Sequence, residues 1–154
     1  GAPLEEYAKG ALFAPLGIER WFWKRTPGGV ADTEGGLYLR PRDLAKIAQL
    51  YLSEGDWKGT RVVSREWVKA STTPALPADE KTPLYGYKWW LAPYGPDTAR
   101  LAWAGSGFGG QRTVVVPEHE LVVVATGWNI PPTTKGLGPR VLLSAVVKAV
   151  LPGK

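Results

Sequence analysis

The sequence predicts an α+β fold, with helices packed on an antiparallel sheet. Apolar residues recur at helical spacing in the first part of the chain, whereas β-branched runs bounded by turn residues fill the second part, before a final helical segment. Helices and strands segregated in this way are typical of α+β proteins. The length of 154 residues suits one domain. We expect a mainly helical region, residues 1–83, and then a region of three strands and a C-terminal helix, residues 84–154.

Helices dominate the first region. The clearest one runs from Arg42 to Glu54, with Gly55 in the C′ position that glycine favours. An earlier helix begins after Pro3, and a later one, capped by Ser64, extends to about Ser71. A short hairpin centred on Lys58-Gly59 is predicted between the last two.

The strands of the second region are concentrated in the stretch from Leu101 to Thr126. A strand there leads into the glycine-dense segment GSGFGG at 105–110, and two valine-rich runs follow, joined by a turn that contains the only histidine, His119. Upstream, the stretch Tyr85–Leu91 also alternates as a strand would, with Tyr85, Tyr87 and Trp89 on one face. Glycine at this density favours close approach of a ligand or another backbone, although a bulged hairpin without chemistry explains the same residues.

Two known motifs are similar to the glycine-dense segment, but the residues that each motif requires around it are not present. Gly105, Gly107 and Gly110 fit G-x-G-x-x-G, but a dinucleotide site needs a helix directly after the glycines, and here a β-type run ends at Pro117. A nucleophile elbow around Ser106 needs glycine at the position that Ala104 occupies. The segment is therefore neither a Rossmann fingerprint nor an α/β-hydrolase elbow.

The order of several short segments resembles the serine β-lactamase and penicillin-binding-protein family, in particular its class C β-lactamase and family-VIII esterase branch. Trp103-Ala104-Gly105-Ser106, followed by Gly-Phe-Gly and a strand ending Val-Val-Pro, is similar to the third active-site motif of that family, Lys-Thr-Gly-Ser in class C enzymes. The stretches 4–18 and 35–45 are similar to the helix with its "PLG" corner and to the "GGL…DLA" segment. The resemblance implies the C-terminal part of the serine β-lactamase/transpeptidase-like fold.

The resemblance also implies roles for the glycine-dense strand. The backbone N–H of Ser106 would be the second donor of an oxyanion hole, and Gly105 and Gly107 would keep Cβ atoms away from the acyl group. These residues would form one wall of an active site for acyl transfer.

Substrate contacts are expected on both sides of that strand. Trp103 stands where lactamases carry the lysine that holds the substrate's carboxylate, and Ala104 follows it, so we expect uncharged short esters and amides to be preferred. Tyr87 and Trp89 are expected to line the cleft. No cofactor is expected.

The nucleophile that this chemistry requires is missing from the sequence. The family uses a serine in Ser-x-x-Lys and a tyrosine in a second motif, and neither pattern occurs in these 154 residues. We therefore expect a fragment, a processed product or one half of a split protein, inactive on its own as an esterase, peptidase or lactamase. Its expected partner is the missing N-terminal portion, supplied by a second chain, or else another copy of itself.

Composition excludes several other classes. The net charge of +5 is spread along the chain without a basic helix face, which argues against a nucleic-acid partner. The chain contains 0 Cys, which excludes disulfides and thiol nucleophiles, and its apolar runs are shorter than a membrane span needs. None of this indicates a cellular compartment.

A non-catalytic binding module is the alternative from another class. The count of 8 Trp is high, and tryptophans can line a site for a sugar, a peptide or a protein partner. The residues that would form such a surface are Trp21, Trp23, Trp89 and Trp90. The absence of a nucleophile favours this alternative, whereas the ordered family resemblance favours a hydrolase.

Overall fold

The computed structural model describes residues 1–75, 84–94, 100–127 and 139–150. The first of these ranges contains three helices, a π-helical turn at Lys9–Phe13 and two short hairpins. Its elements are α1 Leu4–Ala8, β1 Trp21–Trp23, β2 Leu37–Leu39, α2 Pro41–Leu52, β3 Asp56–Trp57, β4 Thr60–Arg61 and α3 Arg65–Ser71. The predicted boundary between the two regions, at residue 83, lies outside the described residues.

The second half forms an antiparallel sheet of five strands in sequential order, followed by one helix. Its elements are β5 Leu84–Tyr85, β6 Trp90–Tyr94, β7 Arg100–Gly107, β8 Gln111–Val116, β9 Leu121–Ala125 and α4 Pro139–Val150. Short turns of 3-10 helix, Phe108–Gly110 and Pro117–His119, connect the last three strands. The α+β class and the antiparallel sheet are as expected, but this sheet has five strands in the described residues, where the sequence predicts three.

Helix α2 lies between two hydrophobic cores. Ala48 is fully buried against the sheet in one cluster with Leu91 and Val115. On the opposite side, Leu50 is buried with Phe13, in a cluster that the flanking β1–β2 hairpin covers with Trp21, Trp23 and Leu39. Because one helix is buried on both sides, it joins the N-terminal layer to the sheet.

The other face of the sheet is covered by α4. Leu143 of α4 is buried with Ala104 and Val114, which belong to the neighbouring interior strands β7 and β8. Strand β8 is therefore buried on both faces, which explains its unbroken run of valines. None of the helices in the described ranges is long and apolar enough to cross a bilayer.

Several local predictions are confirmed. The hairpin β3–β4 turns at Lys58 and Gly59, whose φ angles of 53° and 84° suit a two-residue hairpin turn with both residues at positive φ. Ser64 caps α3, since its Oγ accepts a hydrogen bond from the Trp67 N–H at 3.1 Å. Helix α2 ends two residues before the predicted end at Glu54.

The C-terminus of α2 differs from the prediction in one residue. Glu54, with φ 51°, occupies the left-handed C′ position expected for Gly55, and Gly55 follows with φ 87°. A Cβ atom on Gly55 would lie 2.0 Å from the Val63 carbonyl oxygen. Glycine is therefore required at 55 by the close approach of Val63, just after the β3–β4 hairpin, and the less demanding C′ position is occupied by glutamate.

The prediction of one strand over Tyr85–Leu91 is wrong. The chain reverses there, so that β5 pairs with β6, and the Gly86 N–H donates to the Trp89 carbonyl at 2.9 Å across the turn. A Cβ atom on Gly86 would lie 2.1 Å from the Ser71 carbonyl oxygen. The alternating aromatic residues imitate a strand, but the turn is fixed by this contact with α3, which is distant in sequence.

Candidate functional site

The C-terminal end of β7 has a neighbouring strand on one side only within the described residues. Strand β6 pairs with Arg100–Ala104, whereas β8 pairs with Trp103–Gly107. The segment Gly105–Gly107 therefore extends past the end of β6 and leaves an open edge. Polar main-chain groups on that edge are free of ladder partners, which makes this the place where a ligand could pair with the sheet.

The alternation of main-chain hydrogen bonds indicates which group faces this edge. Because Gly86 and Trp89 are hydrogen-bonded across the β5–β6 turn, the main chain of Trp90 points away from β5, towards Ala104 of β7. Two residues further along β7, the N–H and C=O groups of Ser106 point to the same side of the strand as those of Ala104. Since β6 does not reach Ser106, we infer that the Ser106 N–H faces the open edge.

The three residues of this edge differ in the space around them. Ser106 and Gly107 are exposed and Gly105 is half-buried. A Cβ atom on Gly105 would meet the Thr113 Cβ at 3.7 Å, an ordinary contact, whereas one on Gly107 would lie only 3.0 Å from the Gln111 Cβ. Packing in the folded chain thus explains glycine at 107 but not at 105.

The turn after the edge requires glycine at two positions. Gly109 and Gly110 have φ angles of 74° and 97°, which residues other than glycine rarely adopt. Phe108, between them and β7, is 80% exposed. An apolar ring this exposed, directly beside the open edge, offers a contact surface to a bound molecule.

Arg112 is a candidate that the sequence analysis did not identify. It lies opposite Ser106 in the β7–β8 pair, and its Nη1 donates to the carbonyl oxygens of Gly107 at 3.1 Å and Gln111 at 2.8 Å. Its Nε is buried without a hydrogen-bond partner. Nothing in the local sequence distinguishes this arginine from a surface residue, because only the strand register brings it to Ser106.

Trp103 and Ala104 point to opposite faces of the sheet. Trp103 is half-buried and packs in the cluster with Leu91 and Val115, on the α2 side. Ala104 is 1% exposed and belongs to the cluster covered by α4. The ring of Trp103 thus has a packing role, and only its exposed part is available to a ligand.

Tyr87 and Trp89 do not share a face, because the turn separates them. Tyr87 is 56% exposed, and its ring lies 5.3 Å from that of Trp67. Trp89 is only 9% exposed and packs on Tyr51 of α2, with the ring centroids 4.9 Å apart. Trp89 therefore contributes to the core.

The four tryptophans considered for a binding module are dispersed in the same way. Trp21 and Trp23 pack on Phe13, with ring centroids 5.3 and 6.5 Å apart. Trp90, 41% exposed, lies on a different part of the fold, with its ring 4.7 Å from that of Tyr85.

No group of three or more His, Asp or Glu side chains suited to a metal ion occurs in the described ranges.

Comparison with known proteins identifies the family and the fold of the chain. The sequence profile of the Beta-lactamase family matches residues 1–137. The comparison with curated proteins finds no match. Among solved structures, a provisionally named 6-aminohexanoate-dimer hydrolase from Bacillus anthracis superposes with a TM-score of 0.74 at 21% identity, over 87% of this chain and 35% of its own.

A second solved structure has the same fold. A provisionally named β-lactamase from Bacteroides dorei DSM 17855 superposes with a TM-score of 0.66 at 17% identity, over 92% of this chain and 49% of its own. The chain thus spans less than half the length of both solved proteins.

Proposed function

Because this chain belongs to the β-lactamase family, we propose that it forms one wall of the active site of a serine hydrolase that cleaves esters or amides by acyl transfer. The open edge at Gly105–Gly107 carries the proposal. It combines an exposed main-chain segment, small residues and an N–H inferred to point outward, which is what an oxyanion hole needs.

In this proposal the Ser106 N–H donates to the oxyanion that forms when the substrate carbonyl is attacked. One such donor contributes about 2.7–4 kcal/mol to lowering the barrier. Gly105 leaves the approach of the acyl group unobstructed. A Cβ atom there would make only an ordinary contact with Thr113, which supports that role, since folding alone does not require glycine at 105. Gly107 serves the same approach and also fits against Gln111.

Apolar contacts to the substrate come from residues around this edge. The exposed part of the Trp103 ring replaces the cation that lactamases of this family carry. Ala104, on the opposite face, is buried with Leu143 of α4 and helps to anchor the strand. Tyr87 is exposed and available at the rim, whereas Trp89 supports the β5–β6 turn from within the core. Short esters and amides are the substrates that fit these contacts.

The nucleophile is supplied by another polypeptide segment. The sequence contains no Ser-x-x-Lys, so this chain provides no activated serine of its own. The solved proteins of similar fold are more than twice as long as the part that this chain matches, which leaves room for that segment in them. The proposed partner is a serine-bearing portion that packs beside this wall.

Reconstitution tests the proposal. We expect the chain alone to show no hydrolysis of nitrophenyl butyrate, of a 6-aminohexanoate dimer or of a cephalosporin. Mixed or fused with a serine-bearing portion, it should hydrolyse at least one of them, and a fluorophosphonate should label that portion only. Labelling of Ser106, or inactivity of the reconstituted protein towards all three substrates, contradicts the proposal.

A further inference from the structure

We infer that Arg112 is a positioning residue for the proposed reaction: it fixes the strand end that carries the oxyanion donor and supplies a positive charge beside it. The inference rests on the proposed function and concerns the same open edge. It assigns a role to a residue outside the motif strand, on the neighbouring strand β8.

The contacts of Arg112 join the two ends of the β7–β8 turn. Its Nη1 donates to the Gly107 carbonyl at 3.1 Å and to the Gln111 carbonyl at 2.8 Å, and these two residues are the last pair before the turn. A single guanidinium nitrogen thus fixes both carbonyl groups at the point where β7 leaves the sheet. This bridge holds the peptide plane that follows Gly107, at the end of the open edge, in one orientation.

The charge of Arg112 is not neutralised by an acid within the described residues. The ion pairs Glu5–Arg25, Arg40–Asp43, Asp43–Lys46 and Glu54–Arg65 do not include it. Its Nε is buried without a hydrogen-bond partner among the described residues, which is an unfavourable state that calls for an explanation. The half-buried guanidinium therefore brings an uncompensated positive charge to the strand pair.

This charge lies on the strand that pairs with the proposed oxyanion donor. Arg112 is the cross-strand partner of Ser106, whose N–H is the proposed oxyanion donor. A fixed positive charge next to a partly desolvated site stabilises the transition state more than the neutral ground state, because only the former carries the oxyanion. The expected effect is therefore on kcat, with little effect on KM.

The experiment compares Arg112→Met and Arg112→Lys in the reconstituted enzyme. Arg112→Met removes the bridge and the charge, and we expect kcat to fall about 10- to 100-fold with KM changed less than about threefold. Arg112→Lys keeps the charge and should recover part of kcat. Arg61→Met is the matched control, because Arg61 also donates from Nη1 to a main-chain carbonyl, that of Glu54, away from the open edge.

A pH profile separates this role from a purely structural one. A nearby cation lowers the pKa of a basic group that takes the serine's proton, so its removal should move the acid limb of kcat/KM to higher pH by a few tenths of a unit. Arg112→Lys should leave that limb close to its original position.

Three results overturn the inference while leaving the proposed function intact. The first is a kcat of Arg112→Met within about threefold of the parent enzyme, and the second is an unchanged acid limb of kcat/KM in that variant. The third is an equal loss of kcat in Arg112→Met and Arg112→Lys, accompanied by a lower Tm in both variants. If Arg112→Met does not fold, the Arg112→Lys variant provides the test. Because lysine keeps the positive charge, a kcat of Arg112→Lys as low as the uncatalysed background contradicts a role for the charge. An inactive parent enzyme contradicts the proposed function instead.

Discussion

Gly105 of β7 faces Thr113 of β8, and a Cβ atom on Gly105 would lie 3.7 Å from the Thr113 Cβ. This contact is ordinary, so Gly105→Ala should fold with a Tm close to that of the parent. In the reconstituted enzyme the added methyl group stands in the path of the acyl group, and we expect kcat/KM to fall about 10- to 100-fold. Thermal unfolding and ester hydrolysis measured on the same preparation check both expectations.

Gly107→Ala is the comparison for Gly105→Ala. The Cβ atom of an alanine at 107 would lie 3.0 Å from the Gln111 Cβ, so Gly107→Ala should lower the stability of the protein as well as its activity. If Gly105→Ala is fully active, or destabilised as much as Gly107→Ala, the proposed role of the open edge at Gly105 is wrong.

Ser106 offers a test that separates its side chain from its main chain. Ser106→Ala retains the N–H, and we expect kcat within about threefold of the parent. Ser106→Pro removes the N–H and should lower kcat about 100- to 1,000-fold, the loss expected for one oxyanion-hole donor. Because that N–H is inferred to face away from β8, proline should leave the β7–β8 ladder intact.

Circular dichroism and thermal unfolding would confirm that the Ser106→Pro variant is folded. A folded proline variant with full activity excludes the Ser106 N–H as the donor. An inactive alanine variant shows instead that the hydroxyl takes part.

Within the described residues, strand β9 is an edge of the sheet, and its own sequence lacks the residues that usually protect an edge. Its sequence, Leu-Val-Val-Val-Ala, contains no charge and no proline, whereas the opposite edge strand, β5, has only two residues. We expect this chain alone to self-associate or to bind a strand of the serine-bearing portion along β9. Val124→Lys, which places a charge on this edge, should shift sedimentation towards the monomer.

Phe22→Lys is the control for this prediction, because Phe22 is a large apolar side chain, 62% exposed, on the separate β1–β2 hairpin. If Phe22→Lys disperses the protein and Val124→Lys does not, association occurs through the aromatic surface. A parent chain that sediments as a monomer at all concentrations contradicts the expected edge pairing.

Asp43 makes the stability of the chain depend on pH. It is 1% exposed and pairs with Arg40 Nε at 2.7 Å and Lys46 Nζ at 2.9 Å. The hydrogen bond from Arg40 is the main cause that holds the pKa of Asp43 below its ordinary value, and burial opposes it. Since the folded-state pKa is the lower one, this pairing stabilises the fold above the unfolded-state pKa of about 3.9 and ceases to do so as pH falls through the folded-state pKa.

We expect Asp43→Asn to lower Tm by about 5 °C at pH 7, with the difference from the parent shrinking below about pH 4. Thermal unfolding from pH 7 to pH 3 measures this. Glu66→Gln, an exposed residue in the first turn of α3, is the control and should change Tm little at any pH. A constant difference at all pH values would show that packing, and not the charge of Asp43, stabilises this part of α2.

Local chemistry was enough to predict some elements from the sequence. Ser64 caps α3 through a hydrogen bond to a residue three positions away, and Lys58-Gly59 forms the β3–β4 turn through its own backbone angles. Such features depend on neighbours in sequence, so the residue types determine them. The class of fold and the family followed for the same reason, since they depend on the order of short motifs.

Only the tertiary structure decided how distant segments meet. Gly86 turns the chain because its backbone lies against Ser71, and this contact places Trp89 in the core against Tyr51. The pairing of Ser106 with Arg112 likewise depends on strand register, and a shift of one residue would put the guanidinium on the other face of the sheet. The sequence by itself determined which strand forms the candidate site, whereas packing and register decided which side chains surround it, because both depend on contacts that no local pattern contains.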